Sequence, residues 1–441
     1  MEKGFFILSQ QILKSHIVRG IFLNESGNSG KNSFRRNYYF GIMNGIFYNI
    51  AYAFIGGSTV LPLFINTLTS SRFFVGLVNT IETASWPLPQ IFVASFVEHK
   101  KSTKPLYINM AILRSIGILI ISLFIILFSG IPRARFLTLF ILLFFAYSLA
   151  GGVAGISFME IIGKVFPSNR RGSLWAWRMG IGGSLGVVAG FFVRYILKRF
   201  GYPLNFGLLF LIATFFMSMA FLSFSLIKEP EKEKIIKARK RFSVFVSHGI
   251  NTLRDDKRFK NLFFLRIGLG INAMAFPFYI IFIKQHHGLE LSTVGLFVST
   301  QTFGAIISNL LWGNLSKYKG NHFVLRGTAV ISILPPVLIL SSYTLPVSLF
   351  FDLFIFFLLG ATIQGIWLGF PNALLDISPD EKRPTYVGFM NTMIAPVLFL
   401  PSIGGLLIDY ISFKVLFTLS LLASIMAFFF AIKLNIKRGE G

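Results

Sequence analysis

Long apolar runs alternate with short polar stretches along almost the whole chain. Most hold roughly 20 residues or more with few charges, enough for a helix to cross about 30 Å of hydrocarbon. Twelve can be marked, at approximately 38–64, 73–97, 106–128, 136–163, 174–197, 204–227, 260–283, 292–316, 323–342, 346–373, 385–410 and 413–434. Lipid leaves only helices or closed barrels as spanning structures, and these runs are too long for barrel strands. The pattern predicts an all-α polytopic membrane protein with twelve transmembrane helices.

The polar segments organise the runs. The longest, 228–259, begins KEPEKEKIIKARKR and splits the spans six and six. The two halves resemble each other. Placed 219 residues apart, VGLVNTIET (75–83) faces VGLFVSTQT (294–302), so Glu82 meets Gln301 and Gln90 meets Asn309. Pro-x-x-x-Arg follows spans 4 and 10, as Pro167 with Arg171 and Pro379 with Arg383, and Pro62 and Pro277 lie near corresponding ends of spans 1 and 7. Six spans repeated across a charged linker are the arrangement of a transporter made of two pseudo-symmetric bundles, its site between them near mid-membrane. The expected organisation is an N-terminal segment 1–37, bundles at 38–227 and 260–434 joined by the basic linker 228–259, and a tail 435–441. Within the first segment, residues 5–23 read as a basic amphipathic helix on the membrane surface.

Composition supports this class. Of 441 residues, 54% are hydrophobic and only 13% charged, against roughly 25% charged in soluble domains. A net charge of +25 suggests nucleic acid in a soluble chain, but here its distribution is topological. With the N-terminus inside, roughly three quarters of the Lys and Arg fall on that side, which places both termini in the cytoplasm and the protein in the cytoplasmic membrane. The same charge attracts anionic head groups of the bilayer, and nucleic acid is not an expected partner. There is no cysteine, so disulfide and thiol chemistry are excluded.

The stretch WGNLSKYKGNH, 312–322, resembles the loop motif of the major facilitator superfamily, Gly-x-Leu-x-Asp-Arg-x-Gly-Arg-Lys, which recurs between spans 2 and 3 and between spans 8 and 9. Gly313, Leu315 and Gly320 match, whereas Lys317 stands where the acid belongs. The N-terminal copy, ASFVEHKKST, has Ala94 for the glycine and Glu98 at the acid. Gly182, Gly186 and Gly190 resemble the glycine-rich fifth helix of the family, and the run SWPLPQIFVASFVEHKKSTKPLY resembles a poorly characterised bacterial group with a Leu-Pro-Gln second span. The resemblance covers roughly 38–434 and implies two six-helix bundles that alternate access to a central site. Two departures separate the chain from the proton-driven drug exporters of the family. Span 4 has no arginine, and Gly186-Val187 stands where they carry Gly-Pro.

Among candidate functional residues Glu82 stands first. It lies about nine residues from one end of span 2, roughly 14 Å deep at 1.5 Å per residue. A carboxylate there costs about 2.5–3.5 kcal/mol on insertion scales and faces a cavity or a partner. Asn79, Glu82, Thr83, Trp86 and Gln90 share a face. Two readings stand: a substrate or proton-coupling site, or a carboxyl that locks spans together. Pro87 and Pro89 remove backbone donors and predict a kink beside Glu82 that shapes or hinges the span.

Further polar stripes fall in other spans: Asn49 and Tyr52 in span 1, Asn272 and Tyr279 in span 7, Gln301 and Asn309 in span 8, and Gln364 and Trp367 in span 10. Amides beside aromatic rings suit a small organic solute, and they equally suit packing between helices. Glu160 and Arg178, with Glu98, are placed to latch one side, as in the family, or to anchor at the interface. Gly313, Lys317 and Gly320 join that gating group. Arg114 can snorkel, contact Glu160 or attract an anion, whereas Arg266 reads as snorkelling. His286-His287 is a weak signal for pH sensing or metal binding.

The chain holds no phosphate-binding Gly-x-x-x-x-Gly-Lys loop, no metal-ligand cluster and no nucleophile with a base nearby. The expected function is a secondary transporter for a small organic solute, with no cofactor and no enzymatic step. It would act as a monomer and couple to protons through Glu82. Export of lipophilic compounds or lipids, and a non-transporting receptor on the same fold, are the alternatives.

Overall fold

The computed structural model describes residues 28–86, 89, 102–230, 252–379 and 383–435. The amphipathic helix expected at 5–23, most of the linker, and Pro87, Gln90 and Glu98 lie outside them. All regular structure among the described residues is helical, as lipid requires of backbone that must satisfy its own hydrogen bonds. Eleven segments are long and apolar enough to cross a membrane. The second expected span is described as a helix only over Arg72–Ala84.

In the first half, the helices are α1 (Asn28–Ile55), α2 (Val60–Leu68), α3 (Arg72–Ala84), α4 (Lys104–Leu127), α5 (Arg133–Val165), α6 (Ser168–Arg199) and α7 (Leu204–Ser225). In the second they are α8 (Lys257–Ala273), α9 (Phe276–His286), α10 (Val294–Lys319), α11 (Asn321–Ser341), α12 (Leu349–Ile377), α13 (Arg383–Ile394), α14 (Leu400–Tyr410) and α15 (Phe413–Lys433). Three spans are broken. Span 1 divides into α1 and α2 at Gly56–Thr59, where the Thr59 and Leu61 N–H groups both donate to the Gly56 carbonyl. Span 7 divides into α8 and α9 at Met274–Ala275, with Pro277 at the start of α9, a position that has no N–H to lose. Gly56 and Ala275 stand at the 219-residue offset that relates Glu82 to Gln301. Span 11 passes through a 3-10 segment, Ala395–Phe399, between α13 and α14.

Within the first half, α1 packs on α6 and α7, and α4 on α5 and α7. Within the second, α10 packs on α12, α8 on α15, and α11 on both α12 and α15. The most extensive contacts between the halves are made by two helix pairs, α3 with α14 and α6 with α10. Gly76 and Gly405 bring α3 against α14 so closely that a Cβ on either would strike backbone. Gly190 and Gly295 do the same for α6 and α10, and Ser299 Oγ donates to the Val187 carbonyl at 2.7 Å.

These contacts lie on the side of the molecule away from the two chain ends, here the distal side. Two polar features reinforce it. Thr80 and Ser402 hydroxyls meet at 2.8 Å. Asp409 of α14 accepts from the Arg72 N–H at 2.7 Å, the Phe73 N–H at 3.0 Å and Ser71 Oγ at 2.7 Å. A carboxylate of the second half thereby caps the first turn of a helix of the first half, whose N–H groups have no partner within the helix.

On the terminal side each half is laced to itself. Glu229, just past α7, accepts from Thr103 N–H at 3.0 Å and Lys104 N–H at 2.9 Å, caps α4, and also pairs with Lys164 of α5. Burial pushes the Glu229 carboxyl up, but the bonds from Lys164, Ser102 and the α4 amides outweigh it and hold it below the usual carboxylate range. In the second half Asp256 caps α8 and accepts from the Tyr386 hydroxyl of α13 at 2.8 Å.

Candidate functional site

The site is built on the break in span 1. At Gly56–Thr59 the helical ladder is interrupted, which frees backbone groups in mid-membrane that side chains must satisfy. Asn79 Nδ2 donates to the Gly57 carbonyl at 2.9 Å. The Tyr52 hydroxyl lies near both Gly57 and the Glu82 carboxyl. That carboxyl lies directly against Gly57, where an added Cβ would fall on its oxygen. From the second half, the Gln301 amide meets Ser58 Oγ at 2.9–3.0 Å. Glu82 and its repeat counterpart Gln301 therefore converge on adjacent residues of one broken helix, a point at which the halves touch.

Helix α3 ends at Ala84, two residues beyond Glu82 and three before Pro87. Trp86 then lies across Gly155 of α5, and Pro89 against Gly152. Thr83 turns its hydroxyl back to the Asn79 carbonyl at 2.9 Å. Tyr48 and Tyr52 stack, with ring centres 6.4 Å apart. Both lie deep in the protein mass yet stay 39% and 41% exposed, and Trp86 is 37% exposed. Deep residues that remain accessible line an open cavity, which lies on the terminal side of the contacts that join the halves.

Two arginines flank the cavity in the first half. Arg178 donates to the Gly41 carbonyl at 2.9 Å and Asn44 Oδ1 at 2.7 Å, and lies 4.6 Å from the Trp175 ring centre. Arg114 donates to the Tyr147 hydroxyl at 3.1 Å and lies over the Tyr147 and Phe221 rings at 4.7 and 4.8 Å. The expected pairing of Glu160 with Arg178 is replaced by other contacts: Glu160 meets Lys164, one turn along α5, at 3.2 Å. A long lysine within the same turn reaches Glu160 without crossing between helices, whereas Arg178 is held back on α1. Glu98, the third member of that latch, is not described.

Several other expected site residues serve packing. Asn272 is 1% exposed and donates to Ser424 Oγ at 2.7 Å and Ser420 Oγ at 3.0 Å, tying α8 to α15. Tyr279 is wholly buried, its ring 4.9 Å from Phe417. Asn49 donates to the Gly45 carbonyl at 2.8 Å and the Arg178 carbonyl at 3.4 Å, binding α1 to α6. Asn309 and Gln364 join α10 to α12 at 3.1 Å. Trp367 is 67% exposed. Gly313 has open space around it, Lys317 lies 5.0 Å from the Tyr318 ring, and Gly320 closes α10 with φ of +97°, where a side chain is strained. Arg171, the last residue of the first Pro-x-x-x-Arg, donates to the Phe166 and Gly163 carbonyls at 2.8 and 2.7 Å and so ends α5. His287 pairs with Asp352 at 2.9 Å, and no cluster of three metal-ligating side chains occurs among the described residues.

Sequence reasoning missed Gly57 and Ser58. The signal was Gly-Gly-Ser-Thr at 56–59, four weak helix formers inside an apolar run.

Residues 262–439 match the family model of the Major Facilitator Superfamily. Across most of its length the chain superposes on solved transporters. One is a bacterial homologue of the iron transporter ferroportin in an inward-facing state, at 12% identity, covering 91% of this chain and 98% of that one, with a TM-score of 0.66. This is a major facilitator fold. A POT family transporter in complex with 5-aminolevulinic acid gives 12% identity, 92% and 97% coverage and a TM-score of 0.65. The nucleoside transporter NupG gives 13%, 90% and 98%, and 0.63. No curated protein sequence matches. Identities this low establish the major facilitator fold and carry no substrate with them. They agree with the resemblance read from the loop after span 8 and with a multi-pass transporter architecture.

Proposed function

We propose that the protein is a secondary active transporter that moves a small organic solute across the cytoplasmic membrane by alternating access, with Glu82 as its proton-coupling carboxylate. The observation that carries the reading is the position of Glu82. Its carboxyl lies against the break in span 1, close to Tyr52, at the wall of the cavity, and next to the Ser58–Gln301 contact between halves. A proton arriving there removes a charge from low-dielectric surroundings, and its departure restores that charge. Since the same few residues join the bundles, protonation and the rocking of the halves act on one set of contacts.

Orientation follows the basic bias of the sequence. Both termini are cytoplasmic, the sealed distal side is the outer one, and the cavity opens inward. The bundles 38–227 and 260–434 move as units about the linker 228–259, and one chain is the working unit. With no nucleotide-binding loop in the sequence, the energy comes from an ion or solute gradient.

A pH-resolved thermal-shift screen against sugars, amino acids, organic anions and amphipathic amines identifies a ligand, since anything that binds the native state raises its midpoint. The ligand then serves in counterflow with proteoliposomes. Glu82→Gln should retain counterflow and lose its dependence on pH. An unchanged pH profile in that variant would falsify the coupling role.

A further inference from the structure

Three arginines reach into the membrane-spanning part of the protein from the terminal side, Arg114 in α4, Arg178 in α6 and Arg266 in α8. None of the three is paired with a carboxylate among the described residues. Arg114 has the Tyr147 hydroxyl and two rings, and its Nε is buried without a hydrogen-bond partner. Arg178 has a carbonyl and an amide oxygen. Arg266 lies 4.7 Å from the Phe370 ring centre of α12. Tyr48 stands within electrostatic reach of Arg114, Arg178 and Glu82 together. Glu160 meets Lys164, and Asp352 meets His287. Among the described residues around Tyr48, two guanidinium groups therefore stand against one carboxyl, and with Glu82 protonated the balance there is wholly positive.

Arginine keeps its proton under all ordinary conditions, so these charges cannot be relieved by neutralisation as a lysine's can. Hydroxyls, carbonyls and ring faces solvate a guanidinium but do not cancel its charge. A cleft with low-dielectric walls and one sign of charge concentrates the opposite ion. Arg114 is the most available of the three, because its planar fork suits the paired oxygens of a carboxylate or phosphate.

We infer that the transported solute is an organic anion, bearing a carboxylate or phosphate that meets Arg114, with Tyr48 and Trp86 against its organic part. This rests on the cavity being the transport site. A proton bound at Glu82 would then travel with the anion and lower the net charge moved.

Quenching of Trp86 fluorescence tests the field without knowledge of the solute. The portion of the emission lost in Trp86→Phe reports this residue, in protein held in neutral detergent at low ionic strength. Relative to a free tryptophan analogue in the same buffer, the ratio of iodide to caesium quenching should be at least about threefold higher for Trp86, since opposite ions are enriched in such a cleft. The ratio should fall toward that of the free analogue in Arg114→Gln and persist in Arg114→Lys. A ratio equal to the free analogue's, or a raised ratio that Arg114→Gln leaves intact, overturns the inference. Failure of counterflow, by contrast, removes the transport reading and leaves the quenching result standing.

Discussion

The breaks in spans 1 and 7 occupy equivalent positions in the repeat and have opposite surroundings. At Gly56–Thr59 the chain opens onto Tyr52, Asn79, Glu82 and Gln301, with Tyr48 and Tyr52 accessible from the cavity. At Met274–Ala275 the neighbouring Asn272 is closed in by three residues, Ser332, Ser420 and Ser424, and Tyr279 is wholly buried. The same backbone device holds an ionisable cluster in one half and a packed core in the other. Symmetry fixes where a helix can be interrupted. The side chains placed at the interruption decide whether it does chemistry.

Substitutions at matched positions break or sharpen this contrast. The largest effect is expected from Gly57→Ala. Its Cβ would displace the Glu82 carboxyl, whereas Phe276 already carries a full side chain at the equivalent place in span 7. Counterflow should fall by at least about tenfold, or roughly 1.4 kcal/mol in the barrier, in a protein that still folds. Wild-type rates in Gly57→Ala would show that the contact is incidental.

An intermediate effect belongs to Asn272→Ala, which removes the amide donor to the two buried serine hydroxyls. It should cost about 1–3 kcal/mol of stability, seen as a lower thermal midpoint, with the pH profile of counterflow unchanged. A shifted profile would place span 7 in the coupling machinery and erase the contrast between the breaks.

The smallest effect is expected from Gln301→Ala, which removes one neutral hydrogen bond between the halves. About 1 kcal/mol, or roughly fivefold, should move the equilibrium toward the state open on the distal side. Labelling of a cysteine introduced on that side, for which the cysteine-free chain is a ready background, measures the shift.

The spans, the repeat and the depth of Glu82 were legible because each depends on local pattern: run length, offset along the chain, and distance from a helix end. What each polar side chain touches was not. Asn79 and Asn272 look alike in sequence, both amides in apolar helices, yet one serves the broken backbone and the other a trio of serine residues far along the chain. The partner of Arg114 is a tyrosine on the next helix, 33 residues away, and a tyrosine in an apolar run carries no mark of that role. The latch expected between Glu160 and Arg178 failed for a similar reason. Matching depth places two residues at one level of the membrane, and helix rotation decides whether they face each other.

In the proposed transport cycle the carboxylate of Asp409 acts as a timing element. It completes the first turn of α3 from across the divide between halves, so the distal side cannot open without uncapping that helix. Charged caps of this kind are worth on the order of 1–2 kcal/mol, and their loss lets a helix end fray. Each turnover therefore includes a brief local melting at Arg72, ten residues from Glu82. How readily that end reforms sets how long the outer gate stays open.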